Sequence, residues 1–302
     1  MNYVIIGNGT AAVGTIEGIR AVDQKGTITV ISEEPYHVYG RPLISYLLLG
    51  KTTEDKMLQY RPSDFYEKNG VITLLGRKAV RIDPAAGAVK LEDGMSVPYD
   101  KLCICTGSRP FVPPMSGLDT VENKTSFMTL DDAKHLDAML GSENDKRVLI
   151  IGAGLIGLKC AEGIYQRVKE LTVIDLAPRI LPNVLTEVPA SIIQKHIESK
   201  GVKFLLEDSV EQFEPNTAHL KGGKTIDFDV LVVAVGVRPN TELAAEAGCE
   251  VNRGILTDAC SATSVPDIYA AGDCAVSHDI AADTDRILAI LPNAYMQGET
   301  AG

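Results

Sequence analysis

A chain of 302 residues, 45% of them hydrophobic, has room for two ordinary domains with a packed core each, and it contains no run near the roughly 18 uninterrupted apolar residues of a membrane helix. Its net charge of −11 disfavours a nucleic-acid partner, whose phosphates select clustered Lys and Arg, and gives no broad basic face for an acidic electron carrier. A strand-like run starts almost at Met1 with no basic-then-apolar leader ahead of it, so the expected location is the cytoplasm.

The first predicted element is the apolar run Val4-Ile5-Ile6, which leads into Gly7-Asn8-Gly9-Thr10-Ala11-Ala12 and then into helical patterning as far as Val22. A second strand, 27–31, follows and ends in Glu33. This strand–turn–helix–strand order is that of a mononucleotide-binding unit. Gly9 lets the backbone approach a pyrophosphate, and the helix that follows directs its unpaired N–H groups at the phosphates. Ala12 stands where a third glycine is usual and is still small enough for close helix–strand packing. The carboxylate of Glu33, about 20 residues past the glycines, suits adenosine ribose hydroxyls.

Short strands are then expected at 71–75, 79–82, 88–91 and 102–105, broken by Gly, Asp and Pro and read as a small antiparallel meander. The proline-rich stretch 110–114 reads as a hinge, and the polar stretch 142–147 as a surface turn. Val148-Leu149-Ile150-Ile151 then opens a second fingerprint, Gly152-Ala153-Gly154-Leu155-Ile156-Gly157, with a helix to Val168 and a strand 171–174 that ends in Asp175. Strands at 203–206, 210–213, 218–220 and 230–235 repeat the earlier order, so the chain is a coarse internal duplication. Six cysteines, at 103, 105, 160, 249, 260 and 274, include no Cys-x-x-Cys pair and read as reduced core residues.

Three further segments carry a family likeness: Thr106-Gly107-Ser108-Arg109-Pro110, Gly236-Val237-Arg238-Pro239-Asn240, and the run from Ser264 through Gly272-Asp273-Cys274. With the two fingerprints, they resemble the FAD-dependent pyridine nucleotide–disulfide oxidoreductases over essentially the whole chain. The resemblance implies an α/β fold of two Rossmann-like, three-layer dinucleotide-binding domains, each with an antiparallel β-meander. The domains would be 1–111 (FAD, first part), 112–243 (NAD(P)H) and 244–302 (FAD, second part), without the C-terminal interface domain of relatives. It implies FAD at Gly7, Gly9, Thr10, Ala11, Ala12 and Glu33, with Thr106 and Gly107, and with Gly272 and Asp273 at the ribityl or phosphate part. Arg41 and Pro42 would hold FAD phosphate or ribityl oxygens. The segment with Ala294 and Gln297 resembles the helix whose N-terminal amides face the flavin pyrimidine ring. The nicotinamide nucleotide would lie at Gly152, Gly154, Leu155, Ile156, Gly157 and Gly236. Asp175 would bond a free 2′-hydroxyl and repel a 2′-phosphate, which favours NADH over NADPH, while Arg179 nearby would soften that preference.

Two departures from the family narrow the expected activity. Disulfide reductases carry cysteine in the segment matching 39–51, and none stands there, so a thiol relay is not expected. The Arg41-Pro42 pair instead resembles rubredoxin and ferredoxin reductases and the flavin module of assimilatory nitrite reductases. The expected activity is hydride transfer from NADH to FAD, then electron delivery to an external acceptor such as a small redox protein or a reductase module. The alternatives are an oxygen-reducing NADH oxidase without a redox cysteine and a non-catalytic FAD-binding scaffold, and a homodimer is one oligomeric option. Many relatives also pair a Lys at the place of Tyr46 with a Glu at the place of Lys159. Here Lys159 is the catalytic candidate, its positive charge favouring the reduced, anionic flavin.

Overall fold

A computed structural model describes all residues from 1 to 302. The chain forms two compact units, one from Met1–Tyr39, Leu58–Arg109 and Pro239–Gly302, the other from Gly40–Met57 and Pro110–Arg238.

In the first unit, five parallel strands lie in the order Ile268–Ala270, Lys101–Ile104, Asn2–Ile6, Thr27–Ser32, Val71–Leu75. Side chains alternate across this sheet as the strand period requires. Val4, Ile6, Leu102 and Ile104 join one core, with Ile82, Val89 and Leu91 of a three-stranded antiparallel sheet, Ala79–Asp83, Ala88–Leu91 and Ser96–Pro98. Ile5, Cys103 and Cys105 face the other way, toward Val13 and Ile16 of the helix Thr10–Val22. Strands buried on both faces lack polar alternation, which is why the sequence reads as continuous apolar runs. The chain steps outward from Asn2–Ile6 to Thr27–Ser32 and Val71–Leu75, then returns to Lys101–Ile104 on the other side. That reversal opens a crevice at the carboxyl end of Asn2–Ile6, where open α/β sheets bind ligands.

The second unit repeats the plan. Its five parallel strands run in the order Val202–Leu206, Glu170–Asp175, Arg147–Ile151, Val230–Val233, Lys124–Thr125. One face packs Leu149, Ile151, Leu231 and Val233 against Phe213 and Phe228, whose rings meet edge to face at 6.1 Å. The helix Leu130–Leu140 is fixed at its start by a capping box in which Asp132 N–H donates to Thr129 Oγ1 at 3.0 Å and Thr129 N–H to Asp132 Oδ2 at 3.0 Å.

The α/β class with two Rossmann-like sheets is as expected, but two details differ from the sequence reading. The runs 71–75 and 102–105 are not meander strands. Val71–Leu75 and Lys101–Ile104 are members of the parallel sheet, and the antiparallel sheet takes Ser96–Pro98 as its third strand. In the second unit, Val202–Leu206 and Val230–Val233 likewise belong to the parallel sheet. The boundaries differ too: the crossings fall after Arg109 and Arg238, and Gly40–Met57, expected within 1–111, belongs to the second unit. The reason is a close helix contact, since a Cβ on Gly163 would stand 3.2 Å from the Ser45 carbonyl oxygen.

All six cysteines are free, and only Cys260 is exposed. Cys103 and Cys105 share a face as their spacing requires, with Sγ atoms 3.6 Å apart. Burial raises the Cys160 thiol pKa and pushes Cys274 up to about 11. Thiol titration of the native protein is therefore expected to modify Cys260 alone, the rest reacting only after denaturation. A second fast thiol would contradict this packing. No helix is long and apolar enough to cross a membrane.

Candidate functional site

The first glycine loop is built by contacts that exclude side chains at one position and leave space at the next. Gly7 has φ 111°, its N–H donates to the Ile31 carbonyl at 2.8 Å, and a Cβ on it would lie 2.1 Å from the Cys105 carbonyl oxygen. Only glycine fits there. At Gly9 a Cβ would meet nothing within 4 Å, so this position opens onto free space. Gly9 begins the helix Thr10–Val22 without any side-chain cap, so the first N–H groups have no capping acceptor. Ala11 and Ala12 are buried against the core. Between the glycines, the Asn8 side chain donates to the Tyr36 carbonyl at 3.1 Å and accepts from Tyr66 Oη at 2.6 Å.

Segments far apart in sequence converge on this loop. Gly272, at φ 84°, would place a Cβ 3.1 Å from Ala11 Cβ and 3.6 Å from Ala294 Cβ. Its N–H donates to Gln297 Oε1 at 2.8 Å, while Gln297 Nε2 donates to Ser277 Oγ at 2.6 Å. Asp273 accepts from Ser108 Oγ at 3.2 Å. Thr106 and Gly107 follow the strand Lys101–Ile104 and are locked by Asn240: Thr106 Oγ1 donates to the Asn240 carbonyl at 2.8 Å and Asn240 Nδ2 to the Thr106 carbonyl at 2.9 Å. Glu33 stands one residue past its strand, 70% exposed, with Lys78 at 3.1 Å. Asn8, Tyr66, Ser108, Ser277 and Asn240 were not selected as site residues from sequence. Asn8 carried a signal by standing inside the fingerprint, and Ser108 and Asn240 by standing in the segments that carry the family likeness, whereas Tyr66 and Ser277 carried none.

The second loop repeats the device. Gly152 has φ 112°, donates to the Ile174 carbonyl at 2.8 Å, and would place a Cβ 2.2 Å from the Ala234 carbonyl oxygen. Gly154 again opens onto free space and begins an uncapped helix, Leu155–Ile164. At Gly157 a Cβ would lie 1.9 Å from the Gly152 carbonyl oxygen, so the third glycine holds the loop against its own helix. Asp175 accepts the Ala153 N–H on Oδ2 at 2.6 Å and the Ala177 N–H on Oδ1 at 2.8 Å. Each carboxylate oxygen keeps a second acceptor site for a hydroxyl. Arg179 donates to the carbonyls of Leu185 and Pro182 at 3.1 and 3.2 Å, which ties its guanidinium to its own loop. Leu155 is 60% exposed, Ile156 half-buried, and Gly236 has φ 136°.

Arg41, Pro42 and Lys159 all belong to the second unit. Arg41 donates to the Met128 carbonyl at 3.4 Å. Lys159 is ion-paired with Glu162, one turn along the same helix, and its Nζ stands 4.3 Å from the centre of the Tyr46 ring. Its charge is therefore answered locally.

Both loops fit dinucleotides on their own geometry. Each supplies a glycine at which backbone can approach a pyrophosphate, an uncapped helix N-terminus behind it and a carboxylate after the second strand. The family model for pyridine nucleotide-disulphide oxidoreductases matches residues 1–298. The chain is 36% identical over 284 residues to a nitrite reductase [NAD(P)H] of Bacillus subtilis, covering 92% of this chain and 35% of that protein. It is 32% identical to an NADH oxidase of Methanocaldococcus jannaschii, covering 100% of this chain and 69% of the other. Among solved structures, the covalent putidaredoxin reductase–putidaredoxin complex matches with a TM-score of 0.91 and 29% identity over 99% of this chain and 74% of that one. The chain thus spans about a third of the length of the nitrite reductase.

Proposed function

Because the chain belongs to the pyridine nucleotide-disulphide oxidoreductase family across residues 1–298, we propose that it is a FAD-dependent NAD(P)H:acceptor oxidoreductase, with FAD on the loop Gly7 to Ala12 and NADH on the loop Gly152 to Gly157. The observation that carries this reading is the repeated loop geometry: in each, the first glycine is closed by a carbonyl at 2.1 or 2.2 Å and the second is open. A single such turn would be weak evidence, and two at the carboxyl ends of equivalent strands are not.

Bound at these loops, the nicotinamide would supply hydride-donor chemistry and the flavin electron-carrier chemistry. This chain's residues have the tasks of binding and orientation, which govern the rate of such a transfer. The uncapped amides behind Gly9 and Gly154 bind phosphate. Gln297 fixes Gly272, and Ser108 fixes Asp273, so that the Asp273 carboxylate is aimed before the cofactor arrives. Asp175 takes the ribose 2′-hydroxyl and disfavours a 2′-phosphate, and with Arg179 committed to its own loop no guanidinium offsets that preference.

Electrons leave to an external acceptor, a small iron or iron–sulfur protein or a reductase module. The lack of cysteine between Tyr39 and Lys51 supports this by removing a thiol relay. Similarity to the nitrite reductase and to putidaredoxin reductase supports it too. Oxygen is the second reading, favoured by the likeness to the NADH oxidase. The purified protein is expected to be yellow and to bleach on anaerobic addition of NADH. Mixing the bleached protein with rubredoxin, ferredoxin, oxygen and a disulfide in a stopped-flow instrument ranks the acceptors. A colourless protein, or one that stays yellow with NADH, overturns the reading. Oxygen as the fastest oxidant would favour the oxidase.

Lys159 keeps a place in this proposal as an electrostatic tuner. Lys159→Met is expected to lower the flavin midpoint potential, because positive charge stabilises the anionic reduced ring. The pairing with Glu162 keeps the shift small. An unchanged potential assigns Lys159 to packing against Tyr46 alone.

A further inference from the structure

The second unit carries a cavity of about 410 Å³ that shares only Leu155 with the glycine loops. That volume lies within the range of small-molecule pockets. Its walls follow helical periodicity. Leu155, Leu158, Lys159, Glu162 and Tyr165 line it from positions i, i+3, i+4, i+7 and i+10 of the helix Leu155–Ile164 and its end. Ile193, His196, Ile197 and Lys200 line it from i, i+3, i+4 and i+7 of the helix Glu187–Glu198 and the turn after it. Two helical faces therefore look at each other across an open groove. Leu49, Leu181 and Val202 complete the apolar wall.

The charges around this groove are of one sign once internal pairs are removed. Glu162 is neutralised by Lys159. Lys51 has only the Tyr46 ring, 5.5 Å from its Nζ, and neither it nor Lys200 takes part in an ion pair. His196 lies at the same edge. In a chain with 40 acidic and 29 basic side chains, two lysines without acidic partners converge on an apolar cavity. Apolar ligand surface would be removed from water against Leu155 and Ile193, which are 60% and 38% exposed. An anionic head would find the lysine ammonium groups.

We propose that this groove binds an amphipathic carboxylate, its hydrocarbon body between the two helices and its carboxylate toward Lys51 and Lys200. The groove borders the second dinucleotide loop through Leu155 and otherwise lies outside both loops, and its occupancy does not depend on which acceptor takes the electrons. Isothermal titration of the FAD-loaded protein with sodium decanoate is expected to show one saturable site. Lys51→Gln combined with Lys200→Gln should weaken it about tenfold or more, the loss of a charge-assisted contact. Ile193→Trp, which fills the groove from an exposed position, should abolish it. Decylammonium, with the same chain and the opposite charge, should not saturate. The proposal is overturned if decanoate gives no saturable binding below its micellar range. It is equally overturned if the lysine variant and Ile193→Trp bind decanoate as the parent does, or if decylammonium binds as well.

Discussion

Replacing Gly154 by valine is expected to leave the protein folded and yellow while raising the KM for NADH about a hundredfold, a loss near 2.7 kcal/mol. Gly154 has φ −80° and ψ −173°, which any residue can adopt, and a Cβ there touches nothing within 4 Å. Folding therefore meets no clash, and the cost is limited to that of losing an N-cap glycine, about 1 kcal/mol. The nucleotide does, because the branched carbons occupy the space through which a pyrophosphate would reach the amides of Leu155 and Ile156. The neighbouring glycine supplies the contrast. Gly152→Val sets a Cβ at φ 112° against the Ala234 carbonyl, so that variant is expected to lose thermal stability instead. Stopped-flow reduction by NADH, FAD absorbance and a melting curve separate the outcomes. A folded Gly154→Val variant with an unchanged KM would remove the nucleotide from this loop.

Much of this contrast was legible in the sequence, because a strand, a glycine turn and a helix are local and the residues that make them are contiguous. Pairing was harder to read. The runs at 71–75 and 102–105 resemble meander strands because an apolar run carries no mark of its neighbour, and both pair in parallel with strands over 40 residues away. The placement of Gly40–Met57 was not legible at all. It depends on Gly163 letting a helix backbone approach Ser45, a contact between residues more than 100 positions apart. Lys159 lies between these cases. Its partner Glu162 stands at i+3 and could have been read from spacing, whereas the closeness of Tyr46 came only from the pairing of these two positions in relatives. Around the first loop, Ser277 acts on the amide group of Gln297, 20 residues away, and such a partner leaves no local pattern.

The other large effect is expected at Gly298, where two helices from opposite ends of the chain meet backbone to backbone. On one side, a Cβ at Gly298 would stand 2.1 Å from the Ala11 carbonyl oxygen and 3.0 Å from Thr15 N; on the other, a Cβ at Gly14 would stand 2.3 Å from the Tyr295 carbonyl oxygen. The helix Leu291–Ala301 thus lies directly on Thr10–Val22, and the contact is held laterally by Tyr295 Oη donating to Glu17 at 2.6 Å and Arg61 Nε donating to Glu17 at 2.8 Å. Gly298→Val must separate the helices, because the atoms it would strike are backbone and cannot rotate away. A cost of about 3–5 kcal/mol follows, comparable to the worst core substitutions and a large part of a domain's stability. The same displacement pulls Gln297 from Gly272, so FAD occupancy should fall together with the melting temperature. Thr300→Ala, two residues along on the exposed side of this helix, should change stability by no more than about 0.5 kcal/mol. If Gly298→Val melts with the parent and keeps its flavin, the close crossing does not hold this unit together. If it melts early and Thr300→Ala does not, the glycine is required for backbone contact and not for any property of the helix itself.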